Sequence, residues 1–136
     1  MKMNELTVVI ERAEHNYSAF ILGVDGITTT GKTVDEIKSN IIEAIALYVE
    51  TSKKYGFDIP QSLLEDYTLV FKMDVQSLLD FYSKIFTKAG LERITGINQK
   101  QLWHYSSGKT HPRPKQIVKI ETALHKLGEE LLAINI

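Results

Sequence analysis

The 136-residue chain contains no cysteine, so disulfides and thiolate metal sites are excluded. It has no apolar run of the kind that a membrane span or a signal peptide needs, and it reads as a soluble, cytoplasmic chain without membrane contact. It has no internal repeat and no low-complexity segment. No nucleophile motif and no phosphate-binding loop is present, and the four histidines (His15, His104, His111, His125) lack metal-ligand spacing. Two-metal cleavage of nucleic acid needs about three or four converging carboxylates. The strand-like segments offer Glu5 and Glu11, with Asp25 in a turn. Their even separation puts Glu5 and Glu11 on one face, but roughly 20 Å apart at about 3.3 Å per residue. Asp35 and Glu36 are explained by the preference of a helix start for negative charge. No catalytic residue, metal site or cofactor is expected, and the chain is read as a binding protein rather than an enzyme.

What is present is an ordinary globular composition, 43% apolar and 24% charged, enough for one domain or two small ones. The net charge of −1 conceals an asymmetry. Residues 1–75 hold seven Lys/Arg against twelve Asp/Glu, a balance of −5; residues 76–136 hold nine against five, a balance of +4. Between Lys84 and Lys119 stand eight cations and one anion, Glu92. Phosphate contact therefore suits the second half of the chain alone.

In the first half, Glu5 to Glu11 is rich in β-branched residues and reads as a buried strand. Tyr17 to Val24 reads as a second strand forming a hairpin with the first, Asp25-Gly26 as a turn, and Ile27 to Thr30 as a short third strand broken by Gly31-Lys32. Thr33 and Glu36 form a capping box for a helix ending near Gly56. Its apolar stripe is Val34, Ile37, Ile41, Ala44, Ile45 and Tyr48. Phe57 to Ser62 reads as loop, and Tyr67 to Met73 alternates as a fourth strand. The expected unit is β-β-β-α-β, with the helix on one face of a small sheet.

The second half reads as all-helical, which makes the chain α+β. Asp74 caps a helix from Val75 to about Ile85, with Leu78, Leu79, Tyr82 and Ile85 inward. Thr87 caps another, Lys88 to Ile94, with Ala89 and Leu91 inward. A last helix runs from Pro114 to Leu127, with Ile117, Ile120, Leu124 and Leu127 on one face. Gly128 breaks or ends it, and Glu129 to Ile134 adds at most one more turn. The boundary lies near Met73 to Val75, dividing the chain into residues 1–74 and 75–136 with almost no linker.

Between those helices lies TGINQKQLWHYSSGKTHPRP, residues 95–114. Thr95-Gly96-Ile97 reads as a tight turn and Asn98 as an N-cap, with Gln101 reaching back in a variant capping box. A short helix to about Ser107 puts Leu102 and Tyr105 inward and Gln99, Lys100, Trp103 and His104 outward. Gly108 ends it, and Lys109 to Pro114 is a basic, proline-stiffened loop. Such a helix with a cationic loop behind it suits the major groove of DNA.

Residues 76–134 resemble the Cro/C1-type (Xre) helix-turn-helix repressor domain. The resemblance rests on Gly96-Ile97-Asn98, on Leu102 and Tyr105 in the buried slots, and on Gly108-Lys109 and Pro112. It implies that Gln99, Lys100 and His104 meet base edges, and that Gln101, Trp103, Lys109, Thr110 and Arg113 touch phosphates or flank the groove. Gln suits adenine and Lys suits guanine by donor and acceptor geometry. Ser106 departs from the pattern, because many relatives carry Glu there. Trp103 is unusual on an exposed slot, and packing against Leu102's neighbours or a second subunit stands as its alternative.

The first half resembles the HicB antitoxin domain. The features in order are Tyr17-x-x-Phe20, the turn at Gly26, Gly31-x-Thr33-x-x-Glu36 opening a long helix, and Ile59-Pro60. The departure is Gln61-Ser62, where many relatives repeat a proline. The resemblance implies a truncated ribonuclease-H-like fold and an antitoxin of a type II toxin–antitoxin pair. Its sheet domain would bind a small basic HicA-type toxin that cleaves messenger RNA, and its helix-turn-helix would bind double-stranded operator DNA and repress its own operon. A homodimer or higher homo-oligomer is expected. The alternative is a stand-alone or phage-like repressor whose first domain dimerises or senses a ligand.

Overall fold

The computed structural model describes residues 4–136 and divides into two compact units, Met1–Asp74 and Val75–Ile136. The chain is mixed α+β: a four-stranded sheet with its helices, followed by helices alone.

In the first unit, β1 (Asn4–Arg12), β2 (Tyr17–Ile21), β3 (Thr28–Gly31) and β4 (Tyr67–Met73) lie in the order β3-β2-β1-β4. β1 pairs antiparallel with β2 (Ile10 opposite Ala19) and parallel with β4 (Ile10 opposite Met73). Side chains alternate across a strand, so Leu6, Val8 and Ile10 share one face, and all three are buried. They form the core together with Ala19, Ile21 and Ile27 and with Ile37, Ile41 and Ile45 of α1 (Val34–Tyr55), which packs against β2 and β3. The opposite face carries Thr7, Val9, Phe20 and Val70, none of them fully buried. β3 and β4 are the two edges.

α1 begins where the sequence reading puts it: the Thr33 hydroxyl accepts the Glu36 amide at 3.1 Å. It ends on Gly56 at φ +72°, a left-handed turn that glycine makes at little cost. Gly31 closes β3 rather than breaking it, pairing with Tyr17. A Cβ there would lie 2.8 Å from Cγ1 of Ile37, so sheet and helix meet across a glycine. β2 stops at Ile21, three residues early, because Gly23 turns the chain at φ +80°. Part of the 57–62 loop is helical: α2 (Gln61–Leu64) is a single turn that buries Leu63. Four residues are too few for a period to be visible in sequence.

The second unit consists of α3 (Val75–Phe81), α4 (Lys88–Thr95), α5 (Gln99–Ser107) and α6 (Pro114–Ala133). Its core is Val75, Leu79, Leu91, Ile97, Leu102, Tyr105 and Ile120, with Leu78, Phe86 and Leu124 packed against it. α3 ends four residues before the expected Ile85. The chain tightens through a Ser83-to-Asp80 hydrogen bond and turns Phe86 inward, leaving Ile85 71% exposed. The rings of Phe81, Tyr82 and Phe86 lie 5.1 and 6.2 Å apart in succession, so an aromatic cluster takes the place of the last expected helical turn. Ala89, expected inward, is exposed. α6 runs through Gly128 to Ala133 without a break. One interior glycine costs about 1 kcal/mol, and the helix formers on either side (Leu127, Glu129, Glu130, Leu131) outweigh it. Of its expected stripe, Ile120 is buried and Leu124 packs on the core, whereas Ile117 is 41% exposed.

No helix among the described residues is long and apolar enough to cross a membrane.

Candidate nucleic-acid interface

The turn between α4 and α5 is built from short local bonds. The Thr87 hydroxyl caps α4 by accepting the Gly90 amide at 3.0 Å. At the other end, Gly96 adopts φ +75° and donates its amide to the Glu92 carbonyl. The Thr95 hydroxyl donates to the Leu91 carbonyl at 2.6 Å and accepts the Ile97 amide at 3.1 Å. Ile97 is thereby driven into the core, and Asn98 stands ready to begin α5. The Asn98 side-chain oxygen accepts the Lys100 amide at 2.8 Å. The variant capping box with Gln101 does not form. Gln101 instead donates to the hydroxyl of Thr110 at 3.1 Å, because the chain beyond Gly108 folds back alongside α5. That return is helped by the Thr110 amide, which reaches the His104 carbonyl at 3.4 Å.

Leu102 and Tyr105 anchor the inner face of α5, and Leu102 is 0% exposed. Helical spacing then fixes the outer face. Gln99, Lys100, Trp103 and Ser107, three or four apart, form one exposed stripe along the helix. The Gln99 amide group donates to the Glu92 carboxylate at 3.2 Å, which holds one end of the stripe against α4. Trp103 is 60% exposed, which excludes packing of its ring among Leu102's neighbours. His104, four residues after Lys100, is half-buried, and its main-chain carbonyl accepts the Thr110 amide and the Ser107 hydroxyl. Gly108 ends the helix at φ +78°. A Cβ at that position would fall 2.9 Å from Nε2 of Gln76 on α3. Lys109, Thr110 and His111 follow, all exposed, and Arg113 takes the N-cap position of α6 with Pro114 behind it.

Of the eight residues expected to meet DNA, Gln99, Lys100 and Trp103 share one surface, and Gln101 and Thr110 are bonded to each other. Lys109 and Arg113 lie on the returning loop and at the start of α6. Sequence reasoning passed over two members of the arrangement. Ser107 is four residues from Trp103, a spacing that puts it on the stripe. Glu92, the lone anion of the basic stretch, is the partner of Gln99. The stripe can offer amide donors and acceptors, an ammonium and an indole to a ligand lying along α5. Among the described residues no group of His, Asp and Glu is arranged to hold a metal ion.

Comparison with known proteins gives a different kind of evidence. The chain is 38% identical over 64 residues to the UPF0150 protein Ta0767 of Thermoplasma acidophilum. The match covers 46% of this chain and 93% of that protein. The chain belongs to the UPF0150 family. The rest of this chain lies outside that match. No family model and no solved structure matches.

Proposed function

We propose that this UPF0150 chain is an autoregulating antitoxin of the HicB type, acting by binding and not by catalysis. The helical unit is a helix-turn-helix that grips the operator of its own operon. The sheet unit binds a small basic HicA-type ribonuclease and covers its active site. The observation that carries the DNA half is the exposed Gln99–Lys100–Trp103–Ser107 stripe on a helix whose opposite face is anchored in the core. A rigid helix presenting hydrogen-bonding and cationic side chains is what major-groove reading requires. The toxin half is supported by the kinship of the chain and by the charge asymmetry. A unit carrying −5 attracts a cationic partner and speeds encounter. Among the described residues β3 and β4 are the outer strands of the sheet, and an outer strand is where a sheet can pair with another chain.

Operator binding of this kind is carried out by homodimers. Two-fold symmetry sets two recognition helices about 34 Å apart, so the operator is expected to be palindromic with half-sites about ten base pairs apart.

The test is co-expression of the tagged chain with the product of its neighbouring gene, followed by pull-down and a growth assay. The expected result is a small basic protein that co-purifies and is toxic only when this chain is absent. If nothing co-purifies while the promoter is still bound, the chain is a repressor and the antitoxin reading falls. Lys100→Ala separates the two activities. It is expected to weaken operator binding by about 1–3 kcal/mol, measured by fluorescence anisotropy, and to leave toxin neutralisation intact.

A further inference from the structure

Trp103 is the one tryptophan of the chain, and its position is not what a tryptophan ordinarily chooses. Its ring is 60% exposed in the middle of a polar stripe, while Leu102 and Tyr105 on the inner face of the same helix are buried. Its main chain is occupied, since its carbonyl accepts the Ser106 hydroxyl at 3.0 Å. Its indole is not: among the described residues no aromatic ring and no cation stacks on it. Gln99 and Lys100 precede it by four and three residues, so a ligand that lies against both must also meet the indole.

In the major groove the choice of partner for an apolar face is narrow. Base edges there present hydrogen-bond donors and acceptors and a single apolar group, the C5-methyl of thymine. We infer that Trp103 is a specificity-determining residue that reads a thymine methyl, and that it does not merely flank the groove. Three residues of helix advance about 4.5 Å. One base of a strand advances about 3.4 Å. The thymine therefore stands one or two base pairs from the base read by Lys100. The inference rests on the DNA-binding reading above, but it can fail while that reading stands.

The experiment uses the full chain and a 30-base-pair duplex that this chain selects from a random-sequence pool. Because Trp103 is the single tryptophan, its emission reports on its own surroundings. Binding is expected to shift and quench that emission at the same protein concentration that saturates anisotropy. Uracil is then substituted for each thymine in turn, which removes the methyl and nothing else. One position in each half-site is expected to weaken binding about fourfold, the worth of one buried carbon. Trp103→Ala is expected to bind the thymine and uracil duplexes equally, and Trp103→Phe to retain part of the difference. If uracil is tolerated at every position, the methyl contact is overturned while DNA binding survives. If emission changes with protein concentration in the absence of DNA, Trp103 belongs to a subunit interface and the inference falls. If no duplex is selected, both the inference and the DNA-binding reading fall.

Discussion

The two units of this chain solve the same problem with different material. The sheet unit buries a core dominated by β-branched side chains, Val8, Ile10, Ile21, Ile27, Ile37, Ile41 and Ile45, held between one face of a sheet and one helix. The helical unit has a smaller core centred on Leu102, and it depends on local capping: Thr87, Thr95, Gly96, Asn98 and Gly108 each fix a turn or a helix end. The comparison teaches where a candidate site can be read. A capped helix with a buried anchor leaves its outer residues little choice, so the surface of α5 follows from spacing. A sheet leaves a whole face and two edges open, and nothing local says which of them a partner uses.

The sharpest way to break the comparison is to attack each core separately. Leu102→Ala removes the fully buried anchor of the helical unit and is expected to cost about 2–5 kcal/mol. Followed by Trp103 emission, the melting of the helical unit should move to low temperature. The strand signal in far-UV circular dichroism should persist. A single shared transition that moves as a whole would mean that the units do not fold independently.

The converse test is Gly31→Ala in the sheet unit. The new Cβ would meet the side chain of Ile37 at 2.8 Å and its backbone nitrogen at 3.1 Å. Backbone cannot yield cheaply, so a destabilisation of about 1–3 kcal/mol is expected in urea unfolding. The melting of the helical unit should be unchanged.

The smallest effect has the opposite sign. Gly128 lies inside α6, and a Cβ there meets nothing within 4 Å. Gly128→Ala is expected to stabilise the helical unit by about 0.5–1 kcal/mol, visible as a small rise in its melting temperature. A fall would mean that the glycine is kept for contact with something that packs on α6.

Most of the secondary structure was legible in the sequence because its signals are local. The alternation in β1 and β4, the Thr33 cap and the glycine ends of α1, α4 and α5 each act within a few residues. The misses share a cause. Phe86 displaces Ile85 from the core because an aromatic cluster forms with Phe81 and Tyr82, and helical spacing cannot anticipate a turn that ends the helix. α2 is a single turn, too short to show a period. In the candidate interface, the outward set Gln99, Lys100 and Trp103 was legible from the inward pair Leu102 and Tyr105. The bond from Gln101 to Thr110 was not, since it depends on how the loop after Gly108 returns.

By itself the sequence determined the order and kind of nearly every element, the division of charge between the two halves, and which side of α5 is free. These follow from periodicity, capping and composition, which act over a turn or two of chain. Tertiary structure alone decided that β1 lies between β2 and β4, that Gly31 is the point of closest approach to Ile37, and that Gln99 is held by Glu92 and Gln101 by Thr110. Those pairings join residues from six to sixty-three positions apart, such as Gly31 with Ile37 and Ile10 with Met73. Their choice depends on which surfaces meet when the core closes, a property of the packed chain that no local pattern encodes.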